Sequence, residues 1–187
     1  EWTAVDDLHW TFKLREGVMW HDGTPFTAEN AAASLAYVWD KEIPYAGNFV
    51  GDPVKFSAVD EYTLGVELTE PDPLIPARMT IMPLASPVQI KNAPDTLPKK
   101  LIGTGPYKFV SYKGNSVKLE VNPNYWGKGA HFKNIRFDYI ADIDARMNAL
   151  LSGDIQIMTR IGLEQLERVK GNAGFYTTHT TPPSMFV

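Results

Sequence analysis

The sequence predicts an α/β fold in which helices flank mixed sheets, and two observations carry this prediction. Residues 9–15, HWTFKLR, alternate apolar and polar side chains with the period of two that is typical of a half-buried strand. From residue 133 onward, segments with strand and helix patterns follow one another in turn. That order favours an α/β layer with some parallel strand pairing.

The composition of the 187 residues is that of an ordinary globular protein, with 44% hydrophobic and 21% charged residues. A net charge of −4 and the lack of a Lys/Arg stripe give no support to a nucleic-acid partner. The sequence has no Cys, which excludes disulfides and thiolate metal sites. Aromatic residues make up 12% of the chain, a share that fits a Trp-rich core and a binding surface equally well.

The first segment with a clear pattern is a strand followed by a tight turn. Trp10, Phe12 and Leu14 share the inner face of this strand, and VMW at residues 18–20 is predicted to resume it after a break. The next three residues, HDG, have the composition of a turn, in which Gly23 is free to adopt a positive φ.

A capped helix is predicted directly after this turn. Thr27 is the expected N-cap of a helix over residues 28–39, and Glu29 faces the positive end of the helix dipole. At helical spacing, the face predicted to be buried contains Ala32, Leu35, Ala36 and Trp39.

The middle of the chain predicts a hairpin and a proline-rich connection. Residues 54–68 have the pattern of a hairpin that turns at Asp60 and Glu61. A short helix over residues 74–79 fits between the prolines that follow, because Pro is tolerated in a first helical turn but not in an interior. Residues 91–100 are polar and contain two Pro, which makes them the best internal boundary.

The remaining elements follow from alternation and capping. Asp142 is the predicted N-cap of a helix that ends at Gly153, and a shorter helix is predicted over residues 162–171. Residues 103–110, GTGPYKFV, are predicted to be a Gly-rich entry to a strand, and the other strands predicted in this half of the chain are 116–121, 133–140, 155–159 and 175–181.

Residue types that often carry catalysis or bind metal have structural explanations in this sequence. His21 and Asp22 are adjacent in a turn, so a structural role is favoured over a metal or acid/base pair. Asp142, Asp144 and Asp154 flank the two ends of one helix and are better explained as caps than as a carboxylate cluster.

Other catalytic patterns are incomplete. GTGPY at residues 103–107 lacks the Lys-Ser/Thr pair of a nucleotide-binding loop and precedes a strand instead of a helix. The four His have no metal-ligand spacing, and no Ser lies in a nucleophile elbow. The sequence therefore predicts no enzyme, no catalytic residue, no metal and no cofactor.

Two features are compatible with a binding site, although a structural explanation is preferred for each. The loop of residues 40–53 contains Tyr45, Asn48 and Phe49, and aromatic and amide side chains on loops are common in binding sites. The alternative is a loop that folds back on its own sheet. Arg160 follows a predicted strand end and is either a surface charge or a charge that lines a cleft.

Four ordered stretches carry a resemblance to a known family. WTFKLREGVMWHDGTPFTAENAAASL, GTGPYKFVSY, NPNYWG and DIDARMNALLSGDIQI occur in the order and spacing of the family 5 extracellular solute-binding proteins. These are the peptide, nickel and glycoside receptors of bacterial ABC importers. The resemblance covers essentially the whole chain.

The resemblance implies part of one lobe of a two-lobed, periplasmic-binding-protein-like (type II) clamp. Residues 1–100 are expected to form an accessory subdomain of the first lobe, incomplete at its N-terminus. Residues 101–187 are expected to form part of that lobe's main-sheet subdomain and to end near the hinge, with the second lobe outside the chain. By position in the family, the residues expected to approach the ligand are Tyr45, Asn48, Phe49, Met82 and Pro83, to which we add Arg160 from its own sequence context.

The function that the resemblance implies is capture of a peptide or another small solute by hinge closure, followed by delivery to the permease subunits of an ABC transporter. The expected location is periplasmic or extracellular, with a lipoprotein in a Gram-positive source, and contact with the membrane only through the permease. Two alternatives stay open: a solute-sensing domain of a transcription regulator, and a hydrolase on the same scaffold.

Overall fold

The computed structural model of the protein describes residues 1–40, 55–97 and 100–178. Within these ranges the chain forms seven strands and five α-helices. It divides into two compact units, Glu1–Phe137 and Asp138–Val187. The predicted subdomain boundary near residue 100 concerns the complete lobe and stays a prediction.

A four-stranded sheet opens the first unit. Its strands are β1 (Trp2–Ala4), β2 (His9–Lys13), β3 (Lys55–Asp60) and β4 (Thr63–Glu67), in the spatial order β1–β2–β4–β3 with antiparallel neighbours. Trp10 lies opposite Val66 and Phe12 lies opposite Leu64, so the apolar residues of β2 and β4 share one face. The predicted strand at residue 9 and the hairpin at Asp60 are both confirmed.

Helix α1 (Ala28–Asp40) covers this apolar face. Thr27 Oγ accepts a hydrogen bond of 3.3 Å from the Asn30 N–H, which confirms the predicted N-cap. The buried residues of the helix are Ala28, Ala31, Ala32, Ser34, Leu35 and Val38. The prediction that Ala36 belongs to the buried face is wrong, because the sheet contacts a stripe centred on Leu35 and leaves Ala36 exposed.

Residues 18–20 do not resume the first strand as predicted. Met19 and Pro25 form a single isolated bridge, while Val18 and Trp20 are buried beside it. The Thr24 carbonyl accepts a hydrogen bond from the Trp20 N–H at 2.9 Å, so the backbone turns back too early for a strand to form. Gly23 has a φ of +87°, as the turn requires.

The connection after β4 contains three short elements. They are α2 (Ile75–Met79), α3 (Pro87–Asn92) and a 3-10 turn at Pro94–Thr96. The predicted helix at residues 74–79 is confirmed, and Pro76 lies in its first turn, where no N–H is needed.

A second sheet completes the first unit, with strands β5 (Tyr107–Lys113), β6 (Ser116–Val121) and β7 (Asn134–Asp138) in that order. β5 and β6 form an antiparallel hairpin whose turn contains Gly114 at a φ of +55°. All three strands were predicted from the sequence, and their positions are confirmed.

The second unit contains α4 (Ile143–Ser152) and α5 (Leu163–Val169), both as predicted. Asp142 Oδ1 accepts a hydrogen bond of 2.7 Å from the Ala145 N–H, and Gly153 ends the helix at a φ of +82°. The strand predicted at residues 155–159 is wrong, and residues 175–178 form no strand either. Alternation alone is not sufficient there, because a strand needs a neighbour to pair its backbone, and Ile157 is 76% exposed.

The predicted fold class is confirmed: the described residues form an α/β structure of two sheets with flanking helices. The pairs β1–β2, β2–β4, β3–β4 and β5–β6 are antiparallel. The parallel pairing that we expected depended on the strands that are absent from residues 155–159 and 175–178. Among the described residues, no helix combines the length and apolar character that crossing a lipid bilayer requires.

Candidate functional site

The predicted ligand-approaching residues Met82 and Pro83 lie between α2 and α3, in a stretch that we call the 82–86 segment (Met82–Ser86). Met82 is 8% exposed and packs into the core that α1 and β4 form. Pro83 is exposed. The segment therefore exposes Pro83 to solvent, while the side chain of Met82 anchors the segment in the core.

Helix α1 contacts the far end of this segment through a serine. The Ala85 N–H donates a buried hydrogen bond of 2.8 Å to Ser34 Oγ. Ser34 is 0% exposed and lies on the face of α1 that is otherwise formed by Ala, Leu and Val. Because a buried polar group is costly without a partner, this bond accounts for a serine at that position.

The turn of residues 21–23, which we call the HDG turn, contacts the next residue of the segment. Asp22 Oδ2 accepts a hydrogen bond of 2.7 Å from Ser86 Oγ–H. Asp22 Oδ1 accepts two more, from the N–H and the hydroxyl of Thr24, at 3.0 and 2.6 Å. Burial raises the pKa of the Asp22 carboxyl, but the hydrogen bonds from Thr24 and Ser86 outweigh it, so the pKa lies below its ordinary value.

Ser86 has a second role as the N-cap of α3. Its Oγ accepts the Gln89 N–H at 3.4 Å while its hydroxyl proton is donated to Asp22. Gln89 is itself buried, and its side chain donates to the Lys100 carbonyl and accepts from the Ile102 N–H. The start of α3 is thus tied both to the HDG turn and to residues 100–102.

His21 fixes the stretch that precedes β5. The Gly103 N–H donates to His21 Nδ1 at 3.1 Å, so the ring proton resides on Nε2, which donates to the Gly105 carbonyl at 3.0 Å. The same carbonyl accepts from Asn122 Nδ2 at 3.1 Å. Both ring nitrogens are therefore engaged with the backbone, which agrees with the structural role expected for His21.

This arrangement brings Ser, His and Asp together without the geometry of a catalytic triad. Ser86 Oγ is buried and bonds directly to Asp22, and no His21 nitrogen is available to take its proton. The described residues also contain no cluster of three or more His, Cys, Asp or Glu side chains that is placed to hold a metal ion. The network instead holds the HDG turn, the 82–86 segment and residues 103–105 in place relative to one another.

Arg160 belongs to the second unit, where it is exposed and has a φ of +57°. A residue with a Cβ adopts this left-handed conformation at an energetic cost. The preceding carbonyl, that of Thr159, accepts a hydrogen bond of 3.3 Å from Arg146 Nη1 on α4. The backbone at Arg160 is therefore neither that of a strand nor that of a right-handed helix.

The other predicted site residues, Tyr45, Asn48 and Phe49, lie outside the described residues. Met82 and Pro83 are consecutive residues of the first unit, and Arg160 belongs to the second unit. That the six residues form one binding site stays a prediction.

Sequence reasoning missed Ser34 and Ser86. For Ser86 a signal was present, because Ser86-Pro87-Val88-Gln89 has the spacing of a capping box. Ser34 had no local signal, since its partner Ala85 is 51 residues away.

Residues 1–187 match the sequence model of the bacterial extracellular solute-binding proteins, family 5 Middle. The chain belongs to this family. The resemblance that the four motifs predicted is confirmed over the whole chain.

Individual members of the family agree with this assignment. A probable D,D-dipeptide-binding periplasmic protein DdpA of Escherichia coli is 31% identical over 90% of this chain and 34% of its own length. The nickel-binding periplasmic protein of Escherichia coli is 31% identical over 97% of this chain and 37% of its own length. Among solved structures, MoaA of A. tumefaciens in complex with mannopinic acid is similar with a TM-score of 0.83 and 27% identity, over 92% of this chain and 36% of that one.

The chain thus spans about a third of the length of these family 5 relatives. The family model describes solute-binding proteins. The two curated relatives are named for binding D,D-dipeptides and nickel, and MoaA was solved in complex with mannopinic acid.

Proposed function

We propose that the full-length protein is the solute-binding component of an ABC importer, which encloses a peptide or another small solute by hinge closure and delivers it to the permease subunits. The observation that carries this proposal is the match of residues 1–187 to family 5. It is supported by relatives that are named as periplasmic binding proteins.

The described residues support binding without bond chemistry. The 82–86 segment is held by main-chain and side-chain hydrogen bonds from two directions, and it exposes Pro83. A contact surface that is ordered before the solute arrives loses less conformational entropy on binding, which raises affinity. Ser86 is bonded to Asp22, and both ring nitrogens of His21 are bonded to the backbone, so these residues do not form the nucleophile–base pair of a serine hydrolase.

The residues that we propose for the solute site are Tyr45, Asn48, Phe49, Met82, Pro83 and Arg160. For Met82, the buried side chain makes support of Pro83 its expected contribution. For Arg160, the guanidinium is suited to an anionic group of the solute, such as a carboxylate. The proposed location is the periplasm or the cell exterior, with contact to the membrane through the permease.

Native mass spectrometry of the full-length protein, purified gently from its own source, tests this function. We expect an additional mass that leaves on mild activation, and its fragmentation identifies the solute. A protein without additional mass that instead binds promoter DNA contradicts the proposal and supports the regulator alternative.

Titration of the identified solute then tests the site. We expect Pro83→Ala and Arg160→Gln to weaken binding, whereas Val59→Ala, a change at an exposed position of the edge strand β3, serves as the control. Unchanged affinity in both site variants contradicts the assignment of these residues but leaves the importer function standing.

A further inference from the structure

We propose that Asp22 and Ser34 are positioning residues for solute binding, because together they hold the 82–86 segment at its C-terminal end. This inference rests on the proposed function, in which that segment faces the solute. Neither residue was a predicted ligand contact, and neither is expected to touch the solute itself.

The two residues act on consecutive positions from different elements. Ser34 on α1 accepts the Ala85 N–H, and Asp22 in the HDG turn accepts the Ser86 hydroxyl. Ala85 and Ser86 are both buried. Two bonds from two directions leave the chain little freedom to rotate at this point.

The other end of the segment is held by packing. Met82 lies in the core, and its N–H donates to the Met79 carbonyl at the end of α2. Pro83 and Leu84 thus connect Met82, which is held by packing in the core, to Ala85 and Ser86, which are held by hydrogen bonds. Pro has a fixed φ, and the residues on both sides of this connection are held in place. The backbone at Pro83 therefore has a defined conformation.

The residue types at positions 22 and 34 fit a role in holding the 82–86 segment. A serine in a helix interior is a weaker helix former than alanine, and α1 has alanine at most of its other buried positions. Asp22 already has a complete turn interaction with Thr24 through Oδ1, so its bond to Ser86 through Oδ2 is additional to what the turn needs. Both features are explained when the partner is the 82–86 segment.

A matched control exists in the same unit. Asp60 also stabilises a turn, in which its two carboxylate oxygens accept from the Tyr62 N–H and the Thr63 hydroxyl, both at 2.8 Å. The hydrogen bonds found for Asp60 are all local to that hairpin. Asp60→Asn therefore changes the same chemistry without touching the 82–86 segment.

The experiment is hydrogen exchange of the solute-free full-length protein, followed by mass spectrometry of the peptides that cover residues 82–90. In Asp22→Asn and in Ser34→Ala, we expect these amides to exchange at least about tenfold faster, while amides of β4 keep their wild-type rates. Asp60→Asn is expected to leave residues 82–90 unchanged. The proposal is overturned if the exchange of residues 82–90 is unchanged in Asp22→Asn, or if it increases equally in Asp60→Asn. If Ser34→Ala does not fold, the result for Asp22→Asn decides the outcome.

A second readout separates positioning from simple stabilisation. We expect the fraction of Asp22→Asn molecules that carry the co-purified mass in native spectra to be lower than the fraction of Asp60→Asn molecules that carry it. Faster exchange with equal occupancy overturns the positioning role and leaves only a structural one. A wild-type protein that carries no co-purified mass contradicts the proposed function, whereas the exchange result still decides whether the segment is held.

Discussion

Ser86 Oγ–H donates a hydrogen bond of 2.7 Å to Oδ2 of Asp22, which precedes it by 64 residues. The pair joins the start of α3 to the HDG turn, and with the Ser34–Ala85 bond it fixes the segment that exposes Pro83. A motif that resembles an isolated turn in the sequence is therefore one end of a long-range connection.

Acid is expected to weaken the contribution of Asp22. Its pKa in the folded protein is depressed below the ordinary value of 3.8, so the stability that it contributes is complete above that value and is lost as the pH falls through the folded-state pKa. Asp22→Asn should therefore lower the free energy of unfolding at pH 7 and have a progressively smaller effect below about pH 4. Urea unfolding at a series of pH values measures this; an effect that stays constant down to pH 2 contradicts it.

Truncation of Met147 is expected to destabilise the second unit strongly. Met147 is 0% exposed on α4, and loss of a buried Met side chain typically costs about 2–5 kcal/mol. Leu151, one turn later on the same helix, is 44% exposed, so Leu151→Ala should cost far less than Met147→Ala. Denaturant unfolding of both variants provides the comparison, and equal effects would show that α4 packs through a different face.

A side chain at Gly153 is expected to be unfavourable for reasons of backbone alone. Its φ is +82° and no atom lies within 4 Å of the position that a Cβ would occupy, so Gly153→Ala introduces no steric contact. The left-handed conformation costs a residue with a Cβ roughly 1–2 kcal/mol. Gly129 also has open space but no positive φ, and Gly129→Ala is expected to leave the thermal unfolding midpoint nearly unchanged.

Arg160 allows its backbone and its side chain to be tested separately. At a φ of +57°, Gly is favoured over residues with a Cβ, so Arg160→Gly should be more stable than Arg160→Ala by about 1 kcal/mol. Both variants lack the guanidinium, and we expect both to bind the co-purified solute equally weakly. If Arg160→Gly retains wild-type affinity, the guanidinium does not contact the solute.

Caps and turns were predictable from the sequence because their hydrogen bonds join residues only a few positions apart. Thr27 and Asp142 cap their helices through the N–H three residues later, and Gly23 and Gly153 adopt the positive φ expected from their turns. The family was also accessible, since its motifs are ordered stretches of local sequence. The site residues Tyr45, Asn48, Phe49, Met82, Pro83 and Arg160 stay predictions.

Packing and pairing were decided by the tertiary structure. Which face of α1 is buried depends on where β2 and β4 meet it, so Ala36 was misassigned by sequence periodicity alone. Residues 155–159 have the alternation of a strand, but a strand also needs a partner, and alternation contains no information about one.

By itself, the sequence determined the type and approximate bounds of most elements, the α/β class and the family, because these depend on local propensity and on ordered motifs. Only the tertiary structure decided that Ser34 and Asp22 meet the 82–86 segment, across separations of 51 and 64 residues. The physical reason is that a hydroxyl or carboxylate has many alternative partners in an extended chain. Folding selects one of them by bringing a distant partner within 3 Å: a side-chain hydroxyl for Asp22, and a buried backbone N–H for Ser34.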